Sequence, residues 1–574
     1  MNTPLSGLSH QSPIDLTLSE CEWSPMYLLR STTSPDSNCA ASIDISDIIH
    51  GHPRQVLLMN FEFDVSWLAE TCPLLRDDSV SVCCLHGSKG RQQQLKEEVL
   101  QLGMYHWTVS EIDMGPERYG THHTKMIIMF YDIGARVAVL TANFTECDFK
   151  YMTQGVFVQD FPYKQESKGD VVTECLSPGE SEFHRPLVEY LRRLYPMNQE
   201  ARFLLNKAIK EIERCDFSSA EVALIPSVPG KHASNNSKWG RMRLESVLRR
   251  WCGANSAPIP SDSPLILQAS SIGSLGKGEK YLAELTASML VGSSENHHCK
   301  PPVELVWPTA ECIRQSILGY CCGGSIPLRG DTIETVLADG SRVLKPGVES
   351  VLRKWDGSVS SRDLNPPHMK CYCRYSIVDA QDSVAEGGHN KRKASPTWVG
   401  SMKKLQKVDG DNTATSDETL DTTPANPAKI QLHWFLLSSA NISQAAWGVS
   451  QRGGTQLYIK SFEMGVLFVP SMMKTFHRVF SCTPDHNKLG CPTGYGLRRS
   501  NESSSSGCKL FAFSHSEFIK QDPTPVDLHS FNRVSLPIPF IIPPPCYLPG
   551  DKPWICDKNY YEPDSCGRMW IPTP

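Results

Sequence analysis

Two short runs carry the residue types that phosphoryl transfer needs. Val139-Leu-Thr-Ala-Asn-Phe-Thr145 and Leu437-Ser-Ser-Ala-Asn-Ile-Ser443 are alike, each an apolar stretch ending in Ala-Asn, then an apolar and a hydroxyl residue. Upstream of each lies a His-x-Lys, His123-Thr-Lys125 and His368-Met-Lys370. A phosphodiester is anionic and resists attack. Its cleavage needs a nucleophile, an acid for the leaving oxygen, and donors for charge developing on the equatorial oxygens. Histidine serves as nucleophile or acid, lysine neutralises charge, and asparagine donates through its NH2. Two His, two Lys and two Asn make one site if the two parts of the chain face each other. The two imidazoles must then differ in protonation, with apparent pKa values that belong to the pair. This set calls for no metal and no cofactor.

The chain has five His-x-Lys sequences, so context must choose among them. Residues i and i+2 of a strand share a face, so a strand would present imidazole and ammonium side by side. His123 leads into Met-Ile-Ile-Met-Phe-Tyr and His368 into Cys-Tyr-Cys-Arg-Tyr-Ser-Ile, both strand-like. His298 runs into two prolines, His389 sits in a polar segment and His486 in a Cys/Gly-rich one, and these are set aside. Asn143 and Asn441 also read as glycosylation sequons, which requires secretion. Met1–Arg30 has neither a basic start nor an apolar run, so a signal peptide is not expected.

The elements that must position these residues alternate. Strands are expected at 55–63, 79–85, 126–131 and 136–140, with Gly134 in a turn, a helix at 91–103 and one or two helices at 189–215. Proline, glycine and polar residues at 225–237 mark a domain boundary. A second series follows: strand 265–268, helix 280–290, strand 303–307, helix 311–318, and strands at 432–437, 456–459 and 464–469. The pattern is α/β, with sheets covered on both faces. The expected organisation is a loose tail at 1–23, a first domain at 24–226 and a second at 227–574. Residues 379–427, poor in apolar residues, form a disordered insertion in the second. Lys391-Arg392-Lys393 with Lys403, Lys404 and Lys407 reads either as a bipartite nuclear-import signal, hence a nuclear protein, or as a solvated charge run.

The 574 residues exceed one core. With 57 Lys+Arg against 62 Asp+Glu the net charge is −5, which excludes a protein that coats DNA with its whole surface but leaves room for a local basic groove. The 21 cysteines include no C-x-x-C spacing, so zinc is poorly supported and most are expected to be small core residues. No apolar run approaches the ~20 residues that span a bilayer.

At these motifs the sequence resembles the phospholipase D superfamily, and within it the tyrosyl-DNA phosphodiesterases. The generic superfamily Asp five residues after the Lys is absent, since Phe130 and Tyr375 stand there. The form with a downstream Asn fits, with supporting blocks Tyr119-Gly-Thr-His-His-Thr-Lys125, Ser270-Ser-Ile-Gly-Ser-Leu-Gly276, Trp307-Pro-Thr309, Ser439-Ala-Asn-Ile-Ser-Gln-Ala-Ala-Trp-Gly448, Gly454-Thr-Gln-Leu457, Phe462-Glu-Met-Gly-Val-Leu-Phe468 and Met569-Trp570. The resemblance runs from about Ser24 onward. It implies two similar α/β/α sandwich domains related by a pseudo-twofold axis, with the active site at their interface.

The resemblance also implies roles. His123 would be the nucleophile and His368 the general acid/base. Lys125, Lys370, Asn143 and Asn441 would hold phosphate oxygens. Gln154 and Glu463 would each orient the histidine of the other half. Tyr119 would stack on a base, its bland alternative being core packing. Ser270, Ser271, Ser274 and Ser443 would contact phosphate, and Trp570 would line the peptide side. The substrate implied is single-stranded or nicked DNA carrying a 3′ adduct such as a topoisomerase I-derived peptide, cleaved by a monomer through a phosphohistidine in DNA repair. A lipid hydrolase is disfavoured by the missing Asp and the lack of a membrane segment, and a non-catalytic scaffold by intact His and Lys in both halves.

Overall fold

The computed structural model describes residues 26–31, 41–117, 119–164, 181–252, 258–292, 301–378, 429–473, 482, 508–513 and 533–572. The expected tail, the 379–427 insertion with its basic clusters, and His298, His389 and His486 lie outside them.

Two mixed sheets organise the chain. The first has eight strands in the order Ser42–Ile43, Met26–Leu29, Gly155–Pro162, Gly134–Leu140, Met126–Phe130, Gln55–Asn60, Ser81–His86, Trp107–Glu111. The second runs Val222–Leu224, Gly465–Phe468, Lys429–Ser438, Cys371–Val378, Leu265–Gln268, Val303–Trp307, Leu352–Lys354. Lys509–Ala512 pairs with the far end of Lys429–Ser438 and with Arg533–Leu536. Leaving out Ser42–Ile43 and these last two, the sheets match strand for strand. Each ends in three parallel strands, and the four preceding strands are antiparallel neighbours. The weak repeat in sequence is thus a full repeat in topology.

Alternation along the strands sorts the core into layers. Leu57, Met59 and Ile128 of the first sheet share one core with Cys371, Cys373, Leu437 and Val466 of the second, so the halves are joined face to face. Helices His184–Leu191 and Gln199–Arg214 pack into this shared layer, the second capped by Asn198, whose Oδ1 accepts from the amides of Glu200 and Ala201. Val56, Leu58 and Cys84 face an outer layer with helices Val65–Thr71 and Gln92–Gln101. Tyr372, Trp434 and Leu436 face another, with helices Gly240–Trp251 and Lys280–Met289. Cysteines 83, 84, 371 and 373 are buried and free, as small core residues. Among the described residues no helix is long and apolar enough to cross a membrane.

Four expectations need correction. Gly134 opens a strand instead of lying in a turn. The segment 189–215 is two helices, of which the first begins at His184. The helix expected at 311–318 ends at Gln315. The boundary at 225–237 contains the strand Gly230–Ala233, paired with Gln456–Ile459, while Val222–Leu224 hydrogen-bonds within the second sheet. The chain therefore passes into the second half before Val222. Gly230–Ala233 is polar and Val222–Leu224 has only three residues, so neither shows a period.

Among the described residues the halves meet along two backbone bridges, His122 with Phe462 and Thr153 with Pro367. A Cβ on Gly120 would lie 1.8 Å from the carbonyl oxygen of Lys460, so this crossing admits only glycine. Gly120→Ala is expected to lower stability by about 1–3 kcal/mol through overpacking at the seam. Thermal melting would measure this, and an unchanged midpoint would contradict the close approach.

Candidate active site

The two His-x-Lys runs do not lie in strands. They form the extended lead-ins to Met126–Phe130 and Cys371–Val378, at the seam between the halves. Alternation still holds there. Thr124, between His123 and Lys125, turns away and bonds the buried hydroxyl of Tyr190 at 2.6 Å, and Met369 turns into the shared core. Each lysine folds back on its own histidine: Nζ of Lys125 donates to the His123 carbonyl at 2.9 Å, and Nζ of Lys370 to that of His368 at 2.5 Å.

Each histidine is held by the opposite half. The His123 amide donates to the Phe462 carbonyl at 2.9 Å, and its Nδ1 lies 3.0 Å from Glu463 Oε2 and 3.1 Å from the Ser439 carbonyl oxygen. The His368 amide donates to the Thr153 carbonyl at 3.1 Å, and its Nδ1 lies 2.7 Å from Gln154 Nε2 and 3.0 Å from Asp148 Oδ2. The crosswise pairing of Gln154 and Glu463 is therefore present. Their supports also correspond: the Thr141 hydroxyl donates to Gln154 Oε1 at 2.7 Å, and the Ser439 hydroxyl to Glu463 Oε2 at 2.5 Å.

Asp148 is a site residue the sequence analysis missed. Its Oδ2 also accepts the backbone N–H of Asn143 at 2.5 Å, so one carboxylate oxygen ties the second histidine to the first half's asparagine. Thr145-x-x-Asp148 reads as a helix start, and the Thr145 hydroxyl indeed accepts from the Asp148 amide. The duplicate position, five residues after Asn441, is Ala446, so comparing the repeats alone gives no signal. Phe61 was missed too. Its ring centroid lies 5.6 Å from that of His123 and 5.8 Å from Lys125 Nζ.

The serines expected to contact phosphate have partners within the chain. Asn441 Oδ1 accepts from the amides of Ser270 and Ser271, at 3.1 and 3.0 Å, and from the Ser270 hydroxyl at 3.3 Å. Those donors are spent on the asparagine, and with its oxygen pinned the amide must present NH2 as its remaining group. Ser443 caps the helix Gln444–Trp447 through its hydroxyl. Exposed Ser274 accepts from the Gly276 amide. The helix start near these residues is interrupted by left-handed Gly278 and Glu279. Trp570 packs edge-on against Trp554 and donates to the Cys556 carbonyl, within the second half's outer core. Tyr119 is 83% exposed, which rules out core packing.

Lys125 and Lys370 are fully buried. Burial pushes Lys125 down to about 8, and burial with the nearby Lys125 charge pushes Lys370 down to about 7. Burial lowers His123 against the pull of Glu463, and lowers His368 to about 4 against that of Asp148. Burial alone would raise Asp148, but His368, the Asn143 amide and Lys370 hold it below the ordinary range. The pocket thus gathers cationic groups whose charging is opposed by burial and favoured by an arriving anion.

A duplicated α/β sandwich with a His-Lys-Asn set from each half meeting at the seam defines a phosphodiesterase of phospholipase D fold. A sequence profile of the tyrosyl-DNA phosphodiesterase family matches residues 25–548, and the chain belongs to that family. Tyrosyl-DNA phosphodiesterase 1 of Arabidopsis thaliana is 30% identical over 560 residues, covering 95% of this chain and 76% of that protein. The Drosophila melanogaster protein of the same name is 26% identical over 463 residues, covering 78% and 66%. A crystal structure of the yeast tyrosyl-DNA phosphodiesterase shares the fold, with a TM-score of 0.54 at 17% identity over 92% of this chain and 98% of that one.

With burial pushing Lys370 down to about 7 and Lys125 down to about 8, binding an anion is expected to take up protons above neutrality. Tungstate affinity is expected to fall as pH rises from 7 to 9, by roughly tenfold per proton taken up per pH unit. Calorimetry in two buffers of different ionisation enthalpy would read the uptake directly. Affinity independent of pH across that window would contradict the buried cationic pocket.

Proposed function

We propose that this chain hydrolyses the 3′-phosphotyrosyl bond between DNA and a topoisomerase I-derived peptide, through a phosphohistidine, leaving a 3′-phosphate. The observation that carries the assignment of roles is the difference between the two Nδ1 environments. Nδ1 of His123 faces only acceptors, the Glu463 carboxylate and the Ser439 carbonyl. It must keep its proton, so Nε2 bears a lone pair, as a nucleophile requires. Nδ1 of His368 lies between a donor, Gln154 Nε2, and an acceptor, Asp148. In the neutral ring Gln154 supports a bare Nδ1, with the proton on Nε2. A second proton, taken up at Nδ1 against Asp148 when the anion binds, makes the imidazolium that can act as acid.

The steps then balance. His123 Nε2 attacks phosphorus and the bond to the tyrosine oxygen breaks, that oxygen taking the Nε2 proton of His368. The neutral His368 left behind has Nδ1–H on Asp148 and a bare Nε2. That nitrogen removes a proton from water as the water attacks phosphorus and the P–N bond breaks. Lys125 and Lys370 neutralise the phosphoryl oxygens, while Asn143 and Asn441 donate to them. The exposed ring of Tyr119 suits stacking on a base of single-stranded or nicked DNA. Action as a monomer, in DNA repair and in the nucleus, completes the proposal, the last resting on the basic clusters at 391–393 and 403–407.

An oligonucleotide with a 3′-phosphotyrosine, incubated with excess chelator, is expected to yield a 3′-phosphate. No turnover, with a phospholipid cleaved instead, would overturn the reading. His123→Ala should abolish turnover, and His368→Asn should leave a covalent DNA adduct stable to denaturing electrophoresis. Failure to trap any adduct counts against the phosphohistidine.

Asp148→Asn separates the two steps. It weakens the support for the His368 imidazolium and for the later base. With a tyrosine leaving group the rate should fall by about 10²-fold or more. A 4-nitrophenyl ester, whose leaving group needs no proton, should keep its initial burst of nitrophenol and lose steady-state turnover. Equal losses in burst and steady state would remove Asp148 from the proton path.

A further inference from the structure

The reading of cysteines as small core residues has exceptions in the second half. Among the described residues three free cysteines are exposed, Cys321, Cys546 and Cys566. Cys546 bridges to Arg353 through its backbone. The other two meet. Cys321 lies in the short helix Tyr320–Gly323, and the segment carrying Cys566 is pinned against the start of that helix. One carboxylate ties the two backbones together: Asp564 Oδ2 accepts the Tyr320 amide and Oδ1 the Cys566 amide, each at 2.9 Å. A Cβ on Gly319 would lie 2.1 Å from Asp564 Oδ2, so the contact is close.

Both sulfurs face one turn and one cation. Arg568 Nη1 donates to Cys321 Sγ at 2.9 Å, and Nη2 to the Leu318 carbonyl. Cys566 Sγ donates to the Ile317 carbonyl at 3.7 Å, and the Ser565 hydroxyl to the Ser316 carbonyl at 2.5 Å. Against the pull of burial, Cys321, Asp564 and Cys566 together hold the Arg568 guanidinium above its ordinary value. A cationic donor on a sulfur supports the negative charge through which a thiol attacks peroxide. Cys147 and Cys322 also lie near Cys321, but burial pushes them up to about 12 and about 11, which leaves them poor nucleophiles.

We propose that Cys321 and Cys566, held about Arg568, form a thiol pair that takes hydrogen peroxide as oxidant and closes a disulfide between their two segments. The Cys321 thiolate attacks one peroxide oxygen, so that an S–O bond forms, the O–O bond breaks and hydroxide leaves. The Cys566 thiolate then attacks the sulfenic sulfur, so that the S–S bond forms, the S–O bond breaks and a second hydroxide leaves. The two thiol protons turn both hydroxides into water, and the two electrons lost by the sulfurs reduce the peroxide. The new bond joins the segment carrying Trp554 and Tyr560 to the helix whose Tyr320 ring stacks on both, at 5.8 and 5.7 Å. It fastens this corner of the outer core covalently and leaves the histidine pocket untouched.

Peroxide treatment at about pH 8, where exposed thiols are partly ionised, then alkylation, nonreducing digestion and mass spectrometry, reads the pair directly. A Cys321–Cys566 cross-linked peptide is expected, lost after dithiothreitol. Cys321 left as a thiol or carried to sulfinic acid without a cross-link, or joined to Cys147 or Cys322, would overturn the pair. The oxidised protein is expected to melt about 2–4 °C higher or more. Cys321→Ser and Cys566→Ser should each remove that rise, and Cys546→Ser should keep it. An equal rise in all three variants would overturn the staple. Arg568→Gln should slow the reaction of Cys321 with peroxide by about tenfold, and an unchanged rate would overturn the part given to the guanidinium.

Discussion

Everything in this protein depends on each half reaching across the seam to hold the other half's histidine. The backbone does it first, with the amides of His123 and His368 bonded to carbonyls that precede the opposite half's strands at Gly465–Phe468 and Gly155–Pro162. The side chains repeat it at Nδ1. A histidine bonded only within its own half would be free to turn, and neither half alone supplies two imidazoles. The shared core of facing sheets is what makes these crossed bonds rigid, because shifting one sheet on the other would break both at once.

Within that symmetric frame the chemistry comes from departures from symmetry. Glu463 corresponds to Gln154, and Ala446 to Asp148. The first histidine meets a carboxylate and a carbonyl, while the second meets a carboxylate and an amide. Two identical environments would drive both rings toward one protonation state, and the proposed reaction needs two. The repeat supplies the geometry, and Glu463 against Gln154 and Ala446 against Asp148 make the two histidine environments differ.

The motifs were legible because His-x-Lys and Ala-Asn-x-[Ser/Thr] are compact and occur twice. The strands at 265–268, 303–307 and 456–459 were legible from their apolar composition. Asp148 was not, because its role depends on a contact with His368 over two hundred positions away, and locally it looks like an ordinary helix-start acid. Ser270 and Ser271 looked like phosphate donors because the residue type and loop were right. Which partner takes their N–H groups is decided by the packing of the second sheet against Asn441. The edge strands at Val222–Leu224 and Gly230–Ala233 were hidden for a similar reason, since pairing and not periodicity makes them.

The net charge of −5 and a pocket built for a phosphodiester are compatible because the pocket's charge is conditional. Two lysines with no exposure are costly to keep ionised beside each other in a low-dielectric seam, which lowers their affinity for protons. An incoming phosphodiester removes it by supplying the missing negative charge, so proton uptake and substrate binding become one event. The same event favours the imidazolium at His368, whose burial otherwise keeps it neutral. On the proposed mechanism, the acid therefore forms together with the bound phosphate. Burial, which first looks like a penalty on every catalytic group, is what couples the protonation of this site to its substrate.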